Sequence, residues 1–419
     1  VVLGPGGSGV SAVAAAGATQ RPRTPRDSRQ RSGTPIAGAE PHTLLITVDR
    51  WSPVPDWARV YRQPGEPVAV SKSLHLLTLD RLDLTERTWS SFVDVLAHTV
   101  SHSKAMLPGV GTLAAIDAAE LTSLPGIDDF LLLRRIRDEA TSGQWQRIIV
   151  DCSGCGDPMQ FLRGGSVLSQ ALNRFWPRHR RLAMAAERPV IAQLTAAVDA
   201  IDRDCLDIAE LFADPHAVAV HLVLAADDRT RRLSEQYLAG ADLMGLPLAS
   251  VQVNAGVGSE SPTELVELVR AQLDTADACG SVPVELVGRS ADTIDRMARL
   301  RKLAVTLPAP HGMPRGSAAA RIEAMVDEDA ADDTAGTTDT ARAEPGGPAY
   351  RLSWPQRLPD PDSLALGRSG DDLLVTISGF RHPVRLPSVL RRCTVVDADW
   401  DGERLSIGFV PDPAVWPQR

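Results

Sequence analysis

The chain of 419 residues is very poor in lysine, which occurs only at Lys72, Lys104 and Lys302, so nearly all of its 44 basic residues are arginine. A site that needs a lysine has three positions to draw on. Aromatics are scarce, at 4%, and the formal charge is −9, so general nucleic-acid binding has no electrostatic support. Five cysteines, an odd number, lie scattered along the sequence. That excludes a disulfide framework and points to a reducing, cytoplasmic setting. No run approaches the ~18 apolar residues of a membrane span. The opening residues do not read as a secretory signal.

What the sequence does hold is a glycine-rich start. Val1-Val2-Leu3 has strand character, Gly4-Pro5-Gly6-Gly7-Ser8-Gly9-Val10-Ser11-Ala12 follows, and 13–18 reads as a helix. Strand, glycine turn and helix together turn a glycine string into a phosphate cradle, because converging N–H groups and the helix dipole favour an anion. Gly4, Gly9 and Ser11 fit the P-loop pattern G-x-x-x-x-G-K-[S/T], with Val10 in the lysine position. The missing lysine contact is worth about 1.5–3 kcal/mol per charge-assisted hydrogen bond, and Pro5 removes one loop N–H. Gly4, Gly6, Gly7, Ser8, Gly9, Val10, Ser11 and Ala12 are therefore candidate nucleotide-binding residues, with Ser11 also a ligand for Mg²⁺. The alternative is an ordinary glycine-rich βα turn that binds nothing.

Along the chain, 19–42 reads as a flexible basic loop with five arginines. Thr43-Leu44-Leu45-Ile46-Thr47-Val48-Asp49 reads as a buried strand ending in an acid. Asp49 then either faces Mg²⁺ or an attacking water, or caps a turn. Residues 74–84 read as a strand and 88–102 as an amphipathic helix. A helix opens at Leu124-Pro125-Gly126-Ile127-Asp128-Asp129 and runs through Ala140. Gln146-Arg147-Ile148-Ile149-Val150-Asp151 is a strand ending in an acid that takes Mg²⁺ through water in P-loop enzymes. Cys152 and Cys155 follow in a C-x-x-C that cannot close a tetrahedral zinc site alone. A shared site between two chains, a redox pair, or two small residues in a tight loop all remain open. Arginine-rich helical sequence fills 159–188, and strands at 217–226, 249–254 and 282–287 alternate with helices. The pattern predicts an α/β fold with a doubly wound, mostly parallel sheet of P-loop type. Residues 308–348, with Asp327-Glu328-Asp329 and Asp332-Asp333, read as a disordered acidic linker. Residues 349–411 read as a small all-β sandwich with an Asp401-Gly402 hairpin turn.

The order of these features over 1–307 resembles the arsenical-pump ATPase (ArsA) family, which includes the guided-entry ATPases that target tail-anchored membrane proteins. Gly4 to Ser11 corresponds to its P-loop, with Pro5 in place of the signature lysine that acts across the dimer. Asp49 matches the acid that orients the attacking water, although Arg50 stands where the family has proline. Pro125-Gly126-Ile127-Asp128 resembles the family's helix start. Asp151 matches the first residue of switch II, whose proline, threonine and histidine are absent. Asn254 matches the asparagine that reads adenine. Residues 364–409 resemble the α-crystallin, or small heat-shock, domain fused to bacterial members. The resemblance implies ATP or ADP with Mg²⁺ as ligands, with Ser11 and Asp151 at the metal. It also implies a homodimer, or a heterodimer with an intact paralogue, serving a protein client that the sequence does not name.

The resulting expectation is a degenerate family member, a weak ATP binder or pseudo-ATPase acting through a partner. Its rivals are an active ATP-hydrolysing targeting or anion-transport ATPase, and a structural interaction protein that uses no nucleotide.

Overall fold

A computed structural model of the chain describes residues 1–20, 42–102, 115–121, 126–187, 189–255, 262–274, 282–288, 293–325 and 349–415. Most of the basic loop, residues 124–125 of the expected helix start, and the acidic stretch 326–348 lie outside the described residues. The chain forms two compact units. One comprises 1–233, 248–269 and 282–312, and the other 234–247, 270–281 and 313–419.

The first unit is built on eight strands: β1 (Val2–Leu3), β2 (Thr43–Thr47), β3 (Val68–Ala69), β4 (Leu74–Thr78), β5 (Arg147–Asp151), β6 (Val220–Ala225), β7 (Leu248–Asn254) and β8 (Val284–Val287). They lie in the order β3-β4-β2-β5-β1-β6-β7-β8. All neighbours are parallel except β3, which runs antiparallel to β4 at the edge. The central strands are apolar along both faces, as a sheet covered on both sides requires. Leu44, Leu45, Ile46, Val220, Leu222, Val223, Leu224, Val251 and Val253 are all buried.

The position of β1 decides where chemistry can happen. It lies between β5 and β6, where the strand order reverses, so the carboxyl ends on either side splay apart and leave a crevice. Register sets Thr47 opposite Asp151, and Ala225 opposite Asn254. The helix after β1, α1 (Val10–Thr19), is half alanine and buries eight of its ten residues. Such a helix is apolar all round and belongs inside a protein rather than on its face.

Two helical boundaries differ from the expectation. Strand β4 stops at Thr78, and α2 starts at Arg81 and runs to His102, although the apolar pattern reads on as strand to residue 84. Asp80 causes the switch: its Oδ1 accepts the Asp83 N–H and its carbonyl accepts the Leu84 N–H, an N-cap within an apolar run. After α3 (Ile127–Thr141), the helical stretch 159–188 is three pieces: Pro158–Leu162, α4 (Gly164–Phe175) and α5 (Arg178–Glu187). Pro177 starts the third piece. Arg181 of α5 is fully buried, with its guanidinium 2.9 Å from Asp199 of α6 (Pro189–Ala213). The remaining long helices are α7 (Asp228–Leu243) and α8 (Pro262–Asp274).

The second unit holds two antiparallel sheets. One has the order β14-β15-β10-β9 and the other β11-β12-β13. The strands are β9 (Arg321–Ala324), β10 (Tyr350–Pro355), β11 (Ala365–Ser369), β12 (Asp372–Ile377), β13 (Phe380–Arg385), β14 (Cys393–Trp400) and β15 (Arg404–Pro411). Leu373, Val375 and Ile377 alternate inward to meet Trp354, Leu405, Ile407 and Phe409 in one core. Gln356 accepts the Trp354 indole N–H and donates to the Ala239 carbonyl, both at 3.0 Å. The linker expectation needs correction at its start: Gly316–Ala319 is a 3₁₀ turn, and β9 pairs with β10. All four β9 residues are exposed. Backbone pairing, not side-chain burial, holds this strand, so its sequence carries no alternating pattern to find.

Candidate functional site

Strand β1 delivers the glycine loop into the crevice. Gly9, the N-cap of α1, has φ 88°, a left-handed conformation that glycine adopts without steric cost. A Cβ there would also overlap the Asn254 amide. No side chain caps α1 and its first turn holds no acid, so the helix start faces the loop as an open donor end. Pro5 and Ser8 close the loop on itself, the Ser8 N–H donating to the Pro5 carbonyl at 3.1 Å. Gly6 and Gly7 form an exposed tip with open space where a Cβ would stand. Val10 is buried and packs in the apolar cluster of α1 and β1. The lysine position is thus spent on the core.

Beneath the loop lies a set of oxygen atoms. Ser11 Oγ is 2.8 Å from Ser153 Oγ. Asp151 is fully buried at the end of β5; its Oδ1 accepts the Ser153 N–H at 3.1 Å, while its Oδ2 has no hydrogen-bond partner. Ser8 Oγ and Thr47 Oγ1 are likewise buried without a partner. Unmet buried oxygens cost about 1–3 kcal/mol each and concentrate where a ligand completes them. Burial pushes the Asp151 carboxyl up to about 6; the Ser153 amide and the Ser11 and Ser153 hydroxyls oppose the shift, and the Asp49 charge adds to it. A carboxylate oxygen left open beside two hydroxyls fits a hard, oxygen-seeking divalent cation.

Asp49 follows β2. Its Oδ1 accepts the Trp51 N–H at 2.8 Å, which is the turn-capping role. Its carboxyl also stands directly over Gly154, where a Cβ would overlap it. The acid therefore touches the loop after β5 and faces the same crevice as Asp151. Beyond it, Arg50, Trp51, Asp56, Arg62, Pro64, Thr78 and Asp80 line a cleft of about 340 Å³. Its arginines approach Asp80 and Asp56 at 3.9 and 3.1 Å, so its charges balance.

Asn254, at the end of β7, donates from Nδ2 to the Ser8 carbonyl at 2.9 Å. It braces the glycine loop in the structure. The remaining loop residue of the sequence reading, Ala12, is half-buried in the first turn of α1. The Cys152-Cys155 pair sits at the loop after β5, where the Cys155 thiol donates to the Cys152 carbonyl at 2.8 Å. Burial pushes the Cys155 thiol up to about 12 and the Cys152 thiol well above its ordinary range, which favours the protonated thiol at both. Among the described residues, no three His, Cys, Asp or Glu side chains are grouped to hold a metal ion.

Two residues of the site escape the motif reading. Ser153 takes the place beside Ser11 at the head of the rewritten loop. Arg229, in the first turn of α7, donates from Nη1 to the Gly6 carbonyl at 3.0 Å. Both follow strands at the same sheet edge as Asp49, Asp151 and Asn254, and that placement is the only signal either carries.

Comparison with known proteins agrees with this architecture. Residues 2–275 match the profile of the anion-transporting ATPase family, and residues 349–409 match an HSP20-like domain found in ArsA proteins. The protein Rv2184c of Mycobacterium tuberculosis is 31% identical over 409 residues, covering 91% of this chain and 92% of its own. An uncharacterized protein of Streptomyces coelicolor is 30% identical over 427 residues, covering 100% and 98%. A protein of Aquifex aeolicus, provisionally named arsenical pump-driving ATPase 1, is 21% identical over 52% of this chain and 54% of its own. With its parallel P-loop-type sheet and its HSP20-like sandwich, the chain belongs to the ArsA family of anion-transporting ATPases.

Proposed function

We propose that this family member binds ATP or ADP with Mg²⁺ weakly, hydrolyses ATP poorly or not at all, and acts on a protein partner through its nucleotide state. One observation carries the reading: an open donor loop coexists with Val10 packed into the core at the lysine position. The loop amides and the start of α1 would hold the phosphates, with Asn254 fixing the loop. Ser11 and Asp151 would hold Mg²⁺, which when bound supplies charge neutralisation to the phosphates. Without the lysine, affinity is expected to be about 10–150-fold below that of a complete P-loop. The same loss deepens as charge develops in phosphoryl transfer.

The partner is a second copy or a lysine-bearing paralogue, together with a protein client. Trp51, 76% exposed beside Asp49 and stacked by Arg50, supports a protein surface next to the site. The four described cysteines, all unpaired, suit a reducing, cytoplasmic setting. No helix among the described residues is long and apolar enough to cross a membrane.

A second reading, an active ATPase, is favoured by Asp49 and Asp151 facing one crevice. Displacement of a fluorescent ADP analogue by ATP, run beside a phosphate-release assay, separates the two. The proposal expects displacement at high micromolar ATP with phosphate release no faster than buffer. Steady release that disappears in Asp49→Asn establishes the active enzyme. No displacement at millimolar ATP removes the nucleotide from the account.

A further inference from the structure

Pro5 and Val10 leave the loop without a lysine of its own, a charge problem that Arg229 is placed to solve. A nucleoside triphosphate brings several negative charges to a loop whose nearest carboxyls, Asp49 and Asp151, are also acidic. Arg229 follows β6 by four residues and stands in the first turn of α7. Its Nη1 donates to the Gly6 carbonyl at 3.0 Å, across 223 positions of sequence. Among the described residues, it is the one cation hydrogen-bonded to residues 4–11. Its neighbour Arg231 is engaged with Glu264 at 3.2 Å. Arg229 has no acidic partner among the described residues and is exposed.

The geometry of guanidinium makes this contact useful. The group is a rigid plane with five donors, and one bond to Gly6 fixes it at the rim of the loop. The other donors remain for oxygen atoms, which a planar fork meets in pairs. Gly6 and Gly7 leave open space at that rim. In a phosphate cradle of this kind, the loop amides and helix start take the phosphates nearer the nucleoside, and a side-chain cation reaches the terminal ones.

Resting on the nucleotide reading above, we propose that Arg229 is the phosphate-binding cation of this site, contacting the terminal phosphates of a nucleoside di- or triphosphate in place of the absent lysines. It acts within one chain and from a different strand–helix junction than the glycine loop.

The test is calorimetric binding of AMP, ADP and ATP, each with Mg²⁺, to the full chain and to Arg229→Gln and Arg229→Lys. Arg229→Gln is expected to weaken ATP by about 10–100-fold, ADP by less and AMP least, with Arg229→Lys recovering part of the loss. Arg229 is exposed, and unchanged thermal melting of the variants is the expected sign that the fold is kept. Equal losses for all three nucleotides overturn the proposal, because Arg229 then only shapes the loop. ATP affinity unchanged in Arg229→Gln overturns it while leaving the nucleotide reading intact. No binding by the unaltered chain overturns both.

Discussion

Replacing Asp151 by asparagine should stabilise the chain at neutral pH while removing metal-dependent binding. The Asp151 carboxyl is fully buried, with one oxygen unpartnered, and titrates at about 6 instead of 3.8. An acid whose folded pKa is raised holds its proton more tightly in the folded state, so folding is penalised as pH rises. The penalty is absent below about pH 3.8, grows through pH 6 and is complete above it. A shift of roughly two units corresponds to about 3 kcal/mol, of which about half is already present at pH 5. Asparagine keeps the shape and an acceptor for the Ser153 N–H but carries no charge. Asp151→Asn should therefore be about 3 kcal/mol more stable than the unaltered chain at pH 8 and about half that at pH 5. In a unit of this size, 3 kcal/mol raises the melting temperature by about 5–10 °C. Thermal melts of both chains in metal-free buffer at pH 5, 6.5 and 8 measure it. Parallel pH profiles for the two chains would refute the argument, because Asp151 would then be ionised at no cost.

Other residues give independent checks. Gly9→Ala forces a left-handed alanine against Asn254, and should cost about 1–3 kcal/mol and lower nucleotide affinity, read by melting and by displacement of a fluorescent ADP analogue. Val10→Lys should raise ATP affinity about tenfold or more while costing about 1–3 kcal/mol of core packing; unchanged affinity would show that the loop does not face phosphate. In the second unit, Arg357 donates from Nη1 to both carboxylate oxygens of Asp242 at 2.7 Å, so Arg357→Ala should cost about 2–3 kcal/mol. Trp354→Ala, at the fully buried centre of the sandwich, should cost about 3–5 kcal/mol; both are measured by urea denaturation.

The parallel sheet is legible in the sequence because its strands are continuous apolar runs closed by a polar residue, Asp151 and Asn254 at their last positions and Asp49 just beyond. A strand buried on both faces has no other way to be written, and its first polar residue falls at the ligand edge. The glycine loop is legible for a similar reason, since Gly9 occupies a backbone conformation that other residues resist. Where patterns fail, the cause is local. Asp80 caps a helix in the middle of an apolar stretch, and β9 is held by backbone bonds that leave no imprint on side chains. Arg229 reaches the loop from another strand–helix junction, and one exposed arginine among 44 basic residues has no periodicity to mark it. The spacing of the cysteine pair leaves redox, shared-metal and tight-loop readings open; burial, which pushes both thiols up, favours the tight loop.

The central claim is that the loop and the Ser11–Asp151 oxygens still hold a nucleotide and its metal without a P-loop lysine. Calorimetric titration of the full chain with ATP, in the presence of Mg²⁺ and then of a chelator, tests it most directly. The account predicts saturable one-site binding in the micromolar to millimolar range that weakens markedly when Mg²⁺ is removed. No heat of binding in either condition, or equal affinity with and without Mg²⁺, would contradict it.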